Sequence, residues 1–374
     1  MQTELSTHPP VAGPAPVTVQ RDRDVGRRPD AAATTEAVLD RVLADGAEQA
    51  AHLGDGFRAL WADLTSATQG GKRFRPELFA ATYRAWGGAD GEAAATVGAA
   101  IELLHTAFIV HDDVIDEDEV RRGRPNVAGA HARTARAAGV PEHQAGQFGV
   151  TAGILAGDLA LATSLKVVAT CPAPVPTVAR LLDLFHQVLL ATAAGELADV
   201  WMSVQDHPSP LSDVLTMEER KTALYSFALP MQAGAVLAGA PATMVEDVGR
   251  VGRALGIAFQ LADDLDGVFG DAAVTGKSTL SDLRAGKHTP LVAHARTTGT
   301  WPEIASLVGC AGLTDAQAQQ VRTSLTACGS RRFVEELADD HAAMAVHIAA
   351  DAGLPAALVD TVRYFGENLV GRAA

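Results

Sequence analysis

Cysteine, aromatic residues and unbroken apolar runs are all scarce in this chain. The three cysteines, Cys171, Cys310 and Cys328, lie far apart and form no C-x-x-C pair. That argues against both a zinc site and a disulfide framework, and it fits a cytoplasmic setting. Aromatics make up 5% of the residues while alanine is abundant, a balance that favours helix over sheet. No run of about 18 uncharged apolar residues with basic flanks stands out, so no stable membrane insertion is expected. The N-terminus has no apolar signal segment. Positive charge is also short: the formal net charge is -15. Nonspecific binding to nucleic acid is therefore not expected, and an anionic ligand would have to be met by basic residues gathered locally.

What the chain does have is hydrophobic mass. Its 374 residues are 48% hydrophobic, enough for a large core, and no internal linker demands a split. Residues 1–33 hold Pro9, Pro10, Pro14, Pro16 and Pro29 among charges and small residues and read as a disordered tail. Residues 34–374 read as one domain, helix after helix. Ala93 to about Asp118, His143 to Ala169 and Thr177 to Val204 are long apolar helices. Leu211 to Gly239, interrupted at Pro230, and Thr243 to Phe269 are two more. Shorter helices follow Pro290, Thr314, Arg331 and Pro355, and no convincing period-2 run appears. The expected fold class is all-α, a single-domain multi-helix bundle with its chemistry in a central cavity.

The stretch Glu102 to Pro125 organises the rest. It reads E-L-L-H-T-A-F-I-V-H-D-D-V-I-D-E-D-E-V-R-R-G-R-P. On a helix, Asp112 and Asp116 project side by side, with Asp113 just off that line. The cluster closes an apolar run, where unpaired carboxylates are costly to bury. Mg²⁺ resolves that cost, because it binds through one or two carboxylates plus the phosphates of a substrate. Arg121 and Arg122 follow, and guanidinium groups suit phosphate oxygens. A second cluster, Asp263 and Asp264 in F-Q-L-A-D-D-L-D-G-V-F-G-D, closes another apolar helix. Two such clusters on facing helices can hold several Mg²⁺ ions around one diphosphate.

These residues resemble the two aspartate-rich motifs of the trans-isoprenyl diphosphate synthases, and within them the bacterial geranylgeranyl diphosphate synthases. Further landmarks stand in that family's order: G-G-K-R-F-R-P from Gly70, His105, A-G-D from Ala156, K-T at Lys221 and Thr222, and G-K-S-T-L-S-D-L-R-A-G-K-H-T-P from Gly276. The resemblance covers roughly residues 35–370. It implies that Asp112, Asp116 and Asp263 ligate about three Mg²⁺ ions, with Asp113 and Asp264 supporting them. It implies that Lys72, Arg75, His105 and Arg122 hold the diphosphate of isopentenyl diphosphate. Arg121, Lys221, Gln260, Lys277 and Lys287 would hold an allylic diphosphate, and Thr222 would line the reacting end. A homodimer is the usual assembly of the family.

Two departures stand out. Gly267 occupies the last position of the second motif, where an aspartate is commoner. Gly195, Glu196 and Asp199 take the place of a G-Q-x-x-D pattern, so a glutamate replaces a glutamine.

The implied chemistry condenses isopentenyl diphosphate with the allylic partner after the allylic C–O bond ionises. Metal and basic residues stabilise the departing diphosphate. Product length should depend on the residues just before the first aspartates. Ala107 and Phe108 lie roughly 6 to 7.5 Å below Asp112 along a helix. Ala107 is small and Phe108 large, which points to geranylgeranyl diphosphate first and farnesyl diphosphate second, and Ala107→Phe should shorten the product. A class I terpene cyclase and a non-catalytic subunit of a heteromeric prenyltransferase are the other readings. The second set of basic residues and the intact aspartates weigh against both.

Overall fold

The computed structural model describes residues 31–205, 207–270 and 281–370. The expected tail up to residue 30 and Lys277 lie outside them. Apart from one short hairpin, the described residues are helices joined by turns.

The first four helices are α1 (Ala31–Ala50), α2 (Asp55–Thr68), α3 (Phe74–Ala85) and α4 (Gly91–Ile115). Asp90 starts α4 by accepting hydrogen bonds from the backbone N–H groups of Glu92 and Ala93, a side-chain cap. The helix is apolar nearly all round because it runs through the middle of the bundle. Ile101, Leu103 and Leu104 are buried, α6 (Glu142–Ala169) packs along one side, and α1 and α3 pack elsewhere. It ends at Ile115 rather than near Asp118, and Asp116 is its C-terminal cap. Polar residues crowd the next few positions, so the apolar pattern that sustains the helix stops there.

A hairpin follows that periodicity could not foretell, because each strand is two residues long. Strand β1 (Val120–Arg121) pairs antiparallel with β2 (Arg124–Pro125), Val120 opposite Pro125 and Arg121 opposite Arg124. The two turn residues, Arg122 and Gly123, both have positive φ, 53° and 71°. A two-residue hairpin needs that geometry to match strand twist, and an arginine adopts it only at some cost.

After α5 (Val127–Ala137) and α6 comes α7 (Val175–Val204). The expected helix from Leu211 to Gly239 differs in one respect. It comprises α8 (Leu211–Glu218), a π-helical segment (Glu219–Ala228) and α9 (Leu229–Leu237). The irregularity thus precedes Pro230, which sits in the first turn of α9. The π segment lies between α7 and α10 (Ala242–Phe269), and glycines set its spacing. A Cβ on Gly195 of α7 would lie 2.4 Å from the Lys221 backbone nitrogen. A Cβ on Gly252 or Gly256 of α10 would lie 2.5 Å from the Ala228 Cα or 2.4 Å from the Ala223 Cβ. The backbones therefore meet closer than any larger residue permits.

Three helices, α4, α6 and α7, are long and apolar enough to cross a membrane by length and composition. For α4 the apolarity is accounted for by its central burial. On α7, Leu190, Leu197, Trp201 and Val204 form one exposed stripe, and Phe148, Ile154 and Leu155 are exposed on α6.

Candidate active site

Helix α4 delivers the first aspartate cluster to one end of the bundle, and the hairpin turns back so that Arg121 reaches it. The Arg121 guanidinium donates to Asp113 at 2.6 Å and to Asp112 at 2.9 Å. Asp113 is buried beneath the cluster. Desolvation pushes its carboxyl up to about 6, against the opposing pull of Arg121. Lys287, which follows the short helix Ser281–Ala285, places its ammonium 3.1 Å from Asp116.

Lys221 lies on the π segment and faces three carboxylates. Its Nζ is 2.7 Å from Asp199 and 2.9 Å from Glu196, both on α7, and 3.4 Å from Asp112 on α4. Burial disfavours this ammonium, but the carboxylates outweigh it and hold its pKa well above the ordinary lysine range. Burial likewise raises Glu196 above its usual value, with Lys221 opposing. Thr222, next to Lys221, is half-buried.

The second cluster is reached from Lys221 through Asp199. Asp199 acts electrostatically on Glu218, at the end of α8, and Glu218 shares a hydrogen bond with Asp264 of α10. Glu218 is buried, and desolvation followed by the nearby Asp264 drives its carboxyl far toward the protonated form. Gln260, expected at the allylic diphosphate, donates to Asp264 at 2.9 Å, one helical turn along. Asp263 is half-buried beside this pair.

A separate group of cations surrounds His105. Arg75, 8% exposed, donates to the Ser226 hydroxyl at 2.9 and 3.2 Å. Its guanidinium also lies over the rings of Phe74, at 4.5 Å, and Tyr225, at 5.2 Å. The Arg122 guanidinium lies against the turn at Gly70 and Gly71, both with positive φ, so the hairpin and the G-G-K-R-F-R-P segment converge. Lys72 is exposed on that turn. Burial, then Arg75 and Arg122, keep His105 neutral, and its Nδ1 is 3.4 Å from the Tyr225 hydroxyl. Among the described residues no carboxylate pairs with Arg75 or Arg122, whereas Arg121, Lys221 and Lys287 each pair with an aspartate of the first cluster. Arg73, within the same segment, has a different task. It is bound by Glu36 and by buried Glu102, tying α1, α3 and α4 together.

Ala107 and Phe108 pack against different neighbours. Ala107 is buried among Trp61 and Leu64 of α2 and Ala152, Ala156 and Ala160 of α6. Phe108 packs edge-on against Tyr225, with ring centroids 4.8 Å apart. Phe185 is fully buried in the main core beside this region, and Met202 packs against a small cluster around Val214.

Sequence reading missed Tyr225, Ser226 and Glu218. Tyr225 and Ser226 follow the K-T pair closely, so their position was a usable signal. Glu218 sits in the charged run Glu218-Glu219-Arg220-Lys221, where nothing in the pattern marks it as the buried member.

The donor set suits Mg²⁺: hard carboxylate oxygens, with lysine ammonium groups lying where divalent charge would substitute for them. Among the described residues no three His, Cys, Asp or Glu side chains are arranged to hold a metal ion by themselves. Mg²⁺ takes one or two carboxylates and fills its remaining positions with water and phosphate oxygens, which a diphosphate carries.

A helical bundle with aspartate clusters closing two of its long helices is the architecture of the isoprenyl diphosphate synthases. The polyprenyl synthetase family model matches residues 61–327, and the chain belongs to that family of trans-prenyltransferases. It is 37% identical to a geranylgeranyl diphosphate synthase of Sulfolobus acidocaldarius, over 60% of this chain and 63% of that protein. It is 31% identical to the octaprenyl diphosphate synthase of Escherichia coli, over 74% of this chain and 79% of that protein. Among solved structures, a geranylgeranyl pyrophosphate synthase of Corynebacterium glutamicum, complexed with isoprenyl diphosphate and magnesium, superposes with a TM-score of 0.83. That pair is 28% identical, covering 92% of this chain and 99% of the other.

Proposed function

We propose that residues 34–374 form one catalytic domain that condenses isopentenyl diphosphate with an allylic diphosphate, making mainly geranylgeranyl diphosphate. The observation that carries this reading is the division of the basic residues into two sets. Arg121, Lys221 and Lys287 are interleaved with aspartates and suit a diphosphate that arrives with metal. Arg75 and Arg122, beside neutral His105, pair with no carboxylate among the described residues and suit one that arrives without it. One site for each of two diphosphates is what a condensation needs. A terpene cyclase ionises a single prenyl diphosphate and would leave the second set idle.

Asp112, Asp116 and Asp263 would hold about three Mg²⁺ ions. Bound Mg²⁺ supplies charge neutralisation to a diphosphate that is otherwise a poor leaving group. Arg121, Lys221 and Lys287 add fixed positive charge where negative charge grows as the allylic C–O bond breaks. Arg75, Arg122, Lys72 and His105 fix isopentenyl diphosphate so that its double bond attacks the allylic carbon, which gives the reaction its effective concentration. A proton then leaves for the released diphosphate, so no side-chain base is required. The apolar faces of α4, α6 and α7 would exclude water from the cation.

The exposed stripe Leu190, Leu197, Trp201 and Val204, with the exposed apolar residues of α6, supports a homodimer across this side of the bundle. The relatives differ in product, so length rests on the pocket. Purified protein should be incubated with isopentenyl diphosphate, Mg²⁺ and dimethylallyl, geranyl or farnesyl diphosphate in turn, and the dephosphorylated products weighed by mass spectrometry. Geranylgeraniol as the dominant alcohol is expected. Farnesol or a longer alcohol would replace the length assignment, and a cyclic product without isopentenyl consumption would overturn the function.

A further inference from the structure

Glu196 is the position at which this chain puts a carboxylate where the related pattern has an amide, and the structure gives it one partner. Its carboxylate is 2.9 Å from the Lys221 ammonium, and Asp199, three residues on along the same face of α7, is 2.7 Å away. Gly195 brings the π segment close enough for both contacts. With Asp112 at 3.4 Å, one ammonium faces three carboxylates, and each of these side chains is largely withdrawn from solvent. Screening by water is correspondingly weak.

We propose that Glu196 is a positioning residue that acts as an electrostatic latch on Lys221: it holds the ammonium against α7 between turnovers and draws it back from the diphosphate after reaction. This rests on the reading that Lys221 binds the allylic diphosphate. When a diphosphate enters, Lys221 exchanges carboxylate contacts for phosphate oxygens, and Asp112 is committed to metal. Asp199 alone would leave the ammonium one strong partner on α7, and Glu196 makes it two. Its negative charge also remains beside the bound diphosphate and repels it. Both effects weaken the hold on the allylic substrate and on the inorganic diphosphate released from it. Neither reaches the Arg75–Arg122 set. An amide at this position keeps the shape and can still accept a hydrogen bond from Lys221, but it removes the charge.

The test is calorimetric titration of inorganic diphosphate, at fixed Mg²⁺, into the full-length protein and its Glu196→Gln and Glu196→Ala variants, each shown folded by circular dichroism. Both variants are expected to bind inorganic diphosphate at least about threefold more tightly than the parent. Steady-state kinetics should then show a lower KM for the allylic diphosphate, an unchanged KM for isopentenyl diphosphate and stronger inhibition by inorganic diphosphate. Glu196→Asp, which keeps the charge, should stay nearer the parent than either neutral variant. Diphosphate affinity that is unchanged or weaker in the folded neutral variants overturns the latch. The calorimetric arm needs no turnover. Failure of the parent to consume isopentenyl diphosphate would therefore strike the proposed function separately from the latch.

Discussion

At the scale of single residues, the site is a set of charges balanced against one another before any ligand arrives. The motif positions could be read directly, because D-D-x-x-D, R-R and K-T each occupy consecutive or one-turn positions. Their pairings could not. Arg121 on Asp113 and Lys221 on Glu196 join residues from different elements, and only tertiary packing decides which carboxylate meets which cation. Gln260 shows the same limit. Its place in the motif points to a diphosphate, and its hydrogen bond to Asp264 was not legible there. Phe108 gives the cleaner test of product length. Ala107 is already enclosed by α2 and α6, so a phenylalanine there would overpack at a cost of about 1–3 kcal/mol and mix stability with specificity. Phe108→Ala, by contrast, removes a ring that contacts Tyr225 and is only partly buried. Longer prenyl alcohols in the product spectrum are expected, and an unchanged spectrum would remove Phe108 from the wall of the pocket.

At the scale of elements, the long helices were legible because their apolar residues and caps agree, as at Asp90 before α4. The π segment and the hairpin were not. A π turn leaves no separate mark in a run of helix-forming residues, and two-residue strands are shorter than any usable period. Both irregular elements carry site residues: Lys221, Thr222 and Tyr225 on one, Arg121 and Arg122 on the other. Gly195 tests how strictly the π segment is placed. A methyl there meets backbone atoms of Arg220 and Lys221, which have no flexible end to yield. Gly195→Ala should lower the melting temperature and reduce kcat more than it changes KM for isopentenyl diphosphate. A variant with parental kcat would show that Lys221 tolerates movement of its helix.

At the scale of the molecule, the acidic balance of the chain is answered by basic residues concentrated where two helix ends and two turns converge. Titration of histidines partly or wholly withdrawn from water contributes to its response to acid. His105, His288, His294 and His341 all have pKa values held below the usual 6.5, with desolvation the leading cause in each. A depressed histidine contributes stability that is complete above 6.5 and is lost as pH falls toward its folded value. His131, raised chiefly by its hydrogen bond to Asp63, acts in the opposite sense and loses its contribution as pH rises past 6.5. Asp113, Glu196 and Glu218, whose carboxyls burial raises, also gain stability as pH falls, so the depressed histidines set only the acid-destabilising part of the slope of the melting midpoint between about pH 7.5 and about pH 5. His105→Gln should reduce that part, and an unchanged slope in the variant would place the acid sensitivity elsewhere.

The π segment has one more consequence, for how such a chain can change over time. A π segment carries more residues than an α-helix would between the same ends, so losing one residue along Glu219–Ala228 lets it tighten toward α-helix while α9 keeps its face. Lys221, Tyr225 and Ser226 could not then all keep their present directions. Among active members of a mutant library, point changes at Lys221 or at buried Ala223 and Ser226 should be rare, those at exposed Arg220 common, and one-residue deletions absent. Shortening the chain here is a discontinuous step, with no intermediate that keeps the site assembled.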